Sequence, residues 1–300
     1  MRGQDNNVLN AVASVSDSVM VAVGAGGLIV RSGDAGSTWQ HVKSPAGLSD
    51  DLYAVAFAEN GTGLSVGENG AMLRTTDGGI SWSKLPHQAT EALMGVCFVN
   101  RRTGWVVGGH DLVLKTTDGG RRWKTQRSKG SNDLRALSFI NERTGWVAGA
   151  RSMILRTTDG GTSWTPLAPP FPRFFFAMQF LDESTGWIVG GYGEILRTTN
   201  GGSTWIRQNL TEGTTIPKSN AYLYAVSFAD KLHGYVAGSG GTIFHTDNGG
   251  ETWIHLAINT ENTVTGITLH DDCCIWAVEN QGAIVSSRDY GHDWTWQRVR

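Results

Sequence analysis

Three groups of side chains in this sequence are of kinds that do chemistry. The first is an acidic position inside a recurring Ser/Thr-x-Asp/Asn-x-Gly-x-x-Trp pattern, held by Asp34, Asp77, Asp118, Asp159, Asn200, Asn248 and Asp289. Carboxylates at fixed spacing suggest acid–base or metal work. Asn200 and Asn248 keep the acceptor oxygen of Asp and lose its charge. That exchange suits a side chain that braces its own turn by accepting backbone N–H groups, not a catalyst. The second group is a basic series one residue before each pattern: Arg31, Arg74, Lys115, Arg156 and Arg197, continued by His245 and Ser286. It is either a band that recognises acidic groups or a row of stems covering apolar surface and pairing with neighbours. The third group is irregular: Arg127, Lys129, Arg135, Arg151, Arg173, Phe171, Phe174 and Tyr192. Arginine with aromatic residues is the composition of a protein-binding hot spot.

A glycosidase needs two carboxylates facing one cleft. Glu68, Asp111 and Glu194 come from the same b-to-c position in different repeats, and only Glu194 has an aromatic neighbour, Tyr192. A sialidase would need an arginine triad, a Tyr/Glu nucleophile pair, an acidic Asp and an Arg-Ile-Pro-type motif. FPRFF at 171–175 is not that motif. The reading is of a protein without catalytic residues. No metal site or cofactor is expected either, because the three cysteines form no Cys-x-x-Cys and no ligand spacing. Cys97 reads as a small core residue, and Cys273 and Cys274 as structural thiols.

The elements that must position these groups repeat. The pattern tryptophans are Trp39, Trp82, Trp123, Trp164, Trp205, Trp253 and Trp294, spaced 43, 41, 41, 41, 48 and 41 residues apart. Upstream of each lie an apolar run such as LYAVAF or LRALSF, a turn with a short run such as TGWVVG, and a Gly-rich link into a third run such as MILRT. A fourth run begins at the Trp. Each run is short, rich in β-branched and aromatic residues and bounded by Gly, Asn or Asp, which marks strands. Four strands at this period are the signature of a propeller blade. The expectation is one all-β, seven-bladed β-propeller over residues 1–300, with blades near 8–46, 47–88, 89–130, 131–170, 171–218, 219–259 and 260–300. All seven prolines fall downstream of a pattern Trp, in the outermost strand or the link after it. Proline cannot donate to a ladder and is confined to such edges.

A formal charge of −2 supplies no global basic field for nucleic acid. No uncharged apolar stretch is long enough to span a membrane. The first residues show no basic region followed by an apolar core, so no signal peptide is expected within this chain, which reads as cytosolic or as a mature form. The links from one blade to the next differ in every repeat, and variable loops on a rigid scaffold are where binding lives. The longest, 206–222, is a further candidate contact loop.

The repeated pattern resembles the Asp-box, or BNR repeat, of sialidases, sortilin-type receptors, xyloglucanases and assembly factors. The combination of TGWVVG, a Gly-rich link and LRTTDGGxxW is similar to the photosystem II stability/assembly factor family, over essentially the whole chain. The resemblance implies a seven-bladed, non-enzymatic, extracytoplasmic (periplasmic or lumenal) protein that assists a membrane protein complex, with a basic surface patch contacting a protein partner. Photosynthetic members begin with an outer strand that completes the last blade. This chain opens near an inner strand, LNAVAS, and closes with its own box and outer strand, WTWQRVR. Blade seven is therefore expected to be complete by itself, as in a bacterial non-photosynthetic relative.

Overall fold

The computed structural model describes residues 7–86, 89–128, 132–169, 173–210, 222–270 and 274–299. The chain forms seven sheets of four antiparallel strands, each sheet contiguous in sequence. Strands are labelled a to d from the axis outward. Blade four, for example, runs Leu134–Phe139, Gly145–Gly149, Ile154–Thr157 and Thr165–Leu167. The a strands of all blades are Leu9–Ser16, Leu52–Phe57, Leu93–Phe98, Leu134–Phe139, Phe175–Phe180, Leu223–Phe228 and Val264–His270. No helix among the described residues is long and apolar enough to cross a membrane. The Trp expected to open each d strand stands just before it, as Trp164 does ahead of Thr165–Leu167.

Both faces of each blade are covered by neighbouring blades, so the b strands are not alternating but buried throughout, as in GWVVG, GWVAG and GWIVG. The outermost strands are exposed, and Pro166 sits in one of them opposite Leu155. Blade seven supplies all four of its own strands, as expected, and among the described residues no strand is shared at the closure. The ring shuts through side chains. Thr265 Oγ1 donates to Leu9 O at 2.7 Å, Gln297 Nε2 to Ser37 O at 2.8 Å and Asn7 Nδ2 to Val299 O at 3.0 Å. A shared apolar cluster of Leu9, Val12, Ala22, Val278, Ile284 and Val299 backs them.

A repeated stack joins the middle blades. Trp105 of blade three lies flat on Phe139 of blade four, centroids 3.7 Å apart, and Trp164 meets the same ring edge-on at 6.1 Å. Trp146–Phe180 and Trp187–Phe228 repeat the stack at 3.6 Å. Gly145 opens strand b of blade four because a Cβ there would lie 2.2 Å from the Phe139 ring.

Candidate functional site

The seven acidic or amide positions are spent inside their turns. Asp34 Oδ1 accepts the Ser32 hydroxyl and the Thr38 N–H, each at 2.8 Å, and Oδ2 accepts the Thr38 hydroxyl at 2.7 Å. The Thr38 hydroxyl, the Thr38 N–H and the Ser32 hydroxyl together hold the Asp34 carboxyl down at about 2. Burial pushes Asp77 and Asp159 up, but bonds from Ser81 and Ser163 with their turn partners outweigh it and bring both to about 2. Asp118 and Asp289 make the same bonds to their threonine or serine and the N–H four residues on. In the Asn turns the oxygen accepts Thr198 Oγ1 and Thr204 N while Nδ2 donates to Thr204 Oγ1 at 2.8 Å. Asn248 does the same with Thr246 and Thr252.

The basic series forms latches between blades. Arg31 Nε donates to Gly78 O at 2.9 Å and Arg74 Nε to Gly119 O at 2.7 Å, each reaching the turn of the next blade. Lys115 Nζ and Trp105 Nε1 both donate to Gly160 O at 3.2 Å. Lys115, Arg156 and Arg197 lie over Trp105, Trp146 and Trp187 at 5.0, 5.3 and 5.8 Å. At the closure Ser286 is too short to reach, and Arg288 Nη2 donates instead to Ala35 O at 3.0 Å, the equivalent carbonyl of blade one.

The irregular group is sorted by a backbone feature. In every blade the a–b register slips by one residue near the start of strand a, as where Leu134 pairs Gly149 but Ala136 pairs Ala148. The skipped residues are Asn10, Tyr53, Met94, Arg135, Phe176, Tyr224 and Thr265. A bulge frees one residue from the ladder and re-aims its side chain. Here it turns one side chain per blade into the mouth of the central channel, and all seven line one cavity of about 440 Å³.

From this mouth a row of rings runs outward over blades five and six. The Arg135 guanidinium lies 5.5 Å from the Phe176 ring. Phe176 meets Tyr224 at 5.1 Å and Tyr222 at 6.1 Å, and Tyr222 meets Tyr192 at 6.2 Å. Arg173 covers Tyr192 at 5.3 Å. Tyr192 is 49% exposed, Tyr222 37% and Phe174 51%, so the outer part of the row faces solvent. Burial, then the neighbouring Tyr222, pushes the Tyr224 phenol up, while Arg135 pulls it down.

Two residues of this platform hold an unfavourable backbone conformation. Arg151 and Tyr192 take φ of 53° and 63° at the b–c turn position where blades one and six have Gly26 and Gly240 and blades two and three have Asn69 and His110, left-handed as well at 51° and 54°. A bulky side chain in the left-handed region is disfavoured, and such outliers cluster at functional sites. The fold itself would be served by glycine there. Arg151 comes beside Arg173 because Ser152 N donates to Arg173 O at 2.8 Å and Arg173 N donates to Ser152 Oγ at 2.6 Å. Arg173 is in turn set from below. Its Nε bonds Glu194 Oε2 at 3.3 Å, and Arg207 Nε bonds Glu194 Oε1 at 3.1 Å. Glu194 is fully buried, which such a charge tolerates only when paired.

Arg127 is not joined to this row by any of these contacts. Its Nη1 donates to His110 O at 2.7 Å and Asp111 Oδ1 at 3.1 Å, and Nη2 to Glu91 at 3.5 Å. Phe171, Lys129, Cys273 and most of the 206–222 link lie outside the described residues. Of the carboxylates considered for sugar chemistry, Glu194 and Asp111 are therefore committed to arginines. Among the described residues no cluster of three His, Cys, Asp or Glu is placed to hold a metal, and burial pushes the Cys97 thiol up to about 12, an inert state. Sequence reasoning passed over Phe176 and reached Tyr222 only as the last residue of the 206–222 link. Phe176 was available from the alignment of repeats, where it stands at the position of Tyr53, Met94, Arg135 and Tyr224.

Among curated proteins none matches this sequence. Solved structures share the fold. One described as "YCF48 bound to D1 peptide" has a TM-score of 0.76 and 18% identity, covering 95% of this chain and 92% of that one. "YCF48 from Cyanidioschyzon merolae" has a TM-score of 0.75 and 19% identity, covering 95% and 96%. The GH74 xyloglucanase from Xanthomonas campestris has a TM-score of 0.77 and 13% identity, covering 96% of this chain but 54% of its own. The family model described as "Photosynthesis system II assembly factor YCF48" matches residues 1–76, 76–172 and 168–299. Seven four-stranded blades, with TGW in blades three to five and TTDGG in blades two to four, agree with that match, and the chain belongs to this family of assembly factors.

Proposed function

We propose that the chain is a non-catalytic protein-interaction scaffold, an accessory or assembly factor of a membrane protein complex, which grips an exposed segment of its partner on the platform of Arg151, Arg173, Tyr192 and Tyr222. The observation that carries this reading is Tyr192. It is half exposed in a left-handed conformation, with its ring held between Arg173 and Tyr222. A strained aromatic anchor set beside pre-positioned arginine suits a binding hot spot. Family membership supports the assembly role. The YCF48 structure described with a D1 peptide supports a peptide segment as the thing gripped. The proposal puts the protein outside the cytoplasm, which fractionation of its source cells tests.

The alternative, a glycan-binding or glycan-cleaving propeller, has the GH74 likeness for its fold but lacks free carboxylates at Glu194 and Asp111. The experiment is capture from detergent-solubilised membranes of the source organism, followed by binding of the captured subunit's soluble segments as synthetic peptides. One segment should bind the intact chain and lose at least about tenfold in affinity, about 1.4 kcal/mol, with Tyr222→Ala or Arg151→Glu. Arg173 is a poor position for charge reversal, because a new carboxylate would face buried Glu194. Equal affinity for wild type and both variants overturns the platform.

A further inference from the structure

The ring of bulge residues at the channel mouth is not uniform. Asn10, Tyr53, Met94, Phe176, Tyr224 and Thr265 are neutral, and Arg135 alone carries charge. Among the described residues no Asp or Glu lines the cavity of about 440 Å³. The Arg135 guanidinium lies over the Phe176 ring. Its Nε is shielded from solvent and has no hydrogen-bond partner among the described residues. Around it stand two phenols, Tyr53 and Tyr224, which burial keeps in the protonated, donating form. Asn10 and Thr265 face the same space but spend their donors on Leu52 O and Leu9 O.

A lone guanidinium in a partly desolvated cup, with hydroxyl donors and no compensating carboxylate, is an incomplete ion pair. The group that completes it is a carboxylate. Its planar pair of oxygens matches the guanidinium fork and also accepts from a phenol. Contact with the Phe176 ring restricts the guanidinium, so less conformational freedom is lost when the anion arrives. The cavity volume suits one residue or a small organic acid and not an oligosaccharide.

We propose that the channel mouth is a carboxylate-binding site in which Arg135, stacked on Phe176, pairs with the anion while Tyr53 and Tyr224 donate to it. The carboxylate is either the terminus of a peptide lying across the platform or a free small carboxylate. This inference rests on the platform reading only for the first source, because the row of rings from Phe176 to Tyr192 makes mouth and platform continuous.

The test is titration of the full chain, followed by NMR, with three probes: N-acetyl-trialanine with a free carboxylate, the same peptide as its C-terminal amide, and succinate. The free acid or succinate should bind at least about tenfold more tightly than the amide, a difference of about 1.4 kcal/mol. Arg135→Met should erase that preference. Arg135→Lys, which keeps the charge and loses the fork, should retain part of it and serves if the Met variant fails to fold. Tyr53→Phe and Tyr224→Phe should each weaken the acid several-fold. Preference for the peptide acid over succinate assigns the site to a chain terminus, and tight succinate binding assigns it to a free acid. Tyr192→Gly should leave succinate binding unchanged, so failure of the platform and failure of the mouth give different results. Indistinguishable binding of acid, amide and succinate overturns the inference, as does a preference that survives Arg135→Met.

Discussion

Trp105 and Phe139, from neighbouring blades, stack face to face with centroids 3.7 Å apart and 5° between their planes. Together with Trp146–Phe180 and Trp187–Phe228 this contact carries much of the adhesion between blades three and six. Each large ring is fully or nearly fully buried, and its loss leaves a cavity that rigid neighbours cannot fill. Trp146→Ala should cost about 3–5 kcal/mol, read from the denaturation midpoint. A cost under about 1 kcal/mol would mean that the blades adhere without the stack.

The latches predict a weak seam. At the blade-six position of the basic series, His245 stacks on Tyr235 at 4.6 Å, and its buried Nε2 has no hydrogen-bond partner among the described residues. Burial holds the imidazole below 6.5, Asp247 opposing and His233 and His292 adding to the effect. A base whose folded value is depressed contributes stability that is complete above 6.5 and is lost as pH falls below it, since the unfolded chain takes the proton first. The melting temperature should therefore drop on acidification below that point. His245→Arg should remove this slope and raise stability by about 1 kcal/mol. A slope unchanged in His245→Arg would assign it to other groups.

A second acid transition belongs to the turn carboxylates. Asp34, Asp77 and Asp159 sit at about 2 against an ordinary 3.8, so their stabilisation is present above 3.8 and fades as pH falls toward 2. The turns of Asn200 and Asn248 have no such carboxyl. Asp77→Asn should fold, since the Asn turns supply the same oxygen and reverse one hydroxyl bond, and should flatten the stability curve below 3.8. An unfolded Asp77→Asn would show that the two turn types are not interchangeable.

Ala35 and Tyr290 hold φ of 54° and 61° where the other five blades place a glycine. Both stand in the blades that meet at the closure. Ala35→Gly and Tyr290→Gly should each stabilise by about 1 kcal/mol, the relief of left-handed strain exceeding the entropy that glycine adds to the unfolded chain. Thermal denaturation decides it, and a loss of stability would mean that the side chain's contacts outweigh the strain.

Tyr192→Gly should do the reverse of an ordinary core change. It relieves the strain at φ 63° and removes a half-exposed ring, so stability should hold or rise while affinity for the partner segment falls at least about tenfold. Parallel melting and binding measurements check both halves. Falling stability would place Tyr192 among the structural residues.

The sequence alone determines what recurs at short range. The tryptophan spacing, the order of the four strands, the confinement of proline beyond each turn and the bracing role of Asp34 or Asn200 follow from residues a few positions apart, where local propensity and turn chemistry act. Arg135 aligns with Tyr53, Met94 and Tyr224 of other repeats, which by itself places it on the innermost strand near the channel. What only the tertiary structure decided depends on contacts that no single turn spans. The stacking of Trp105 on Phe139, the hold of Glu194 on both Arg173 and Arg207, the isolation of Arg127 on Asp111 and the arrival of Tyr222 beside Tyr192 join separate strands, blades or loops. The bulge that aims seven side chains into one mouth is a one-residue slip in hydrogen-bond register, and it is set by how the a and b strands pair. Arginines thus become interblade latches or partners of a buried carboxylate according to which neighbours the fold brings to them.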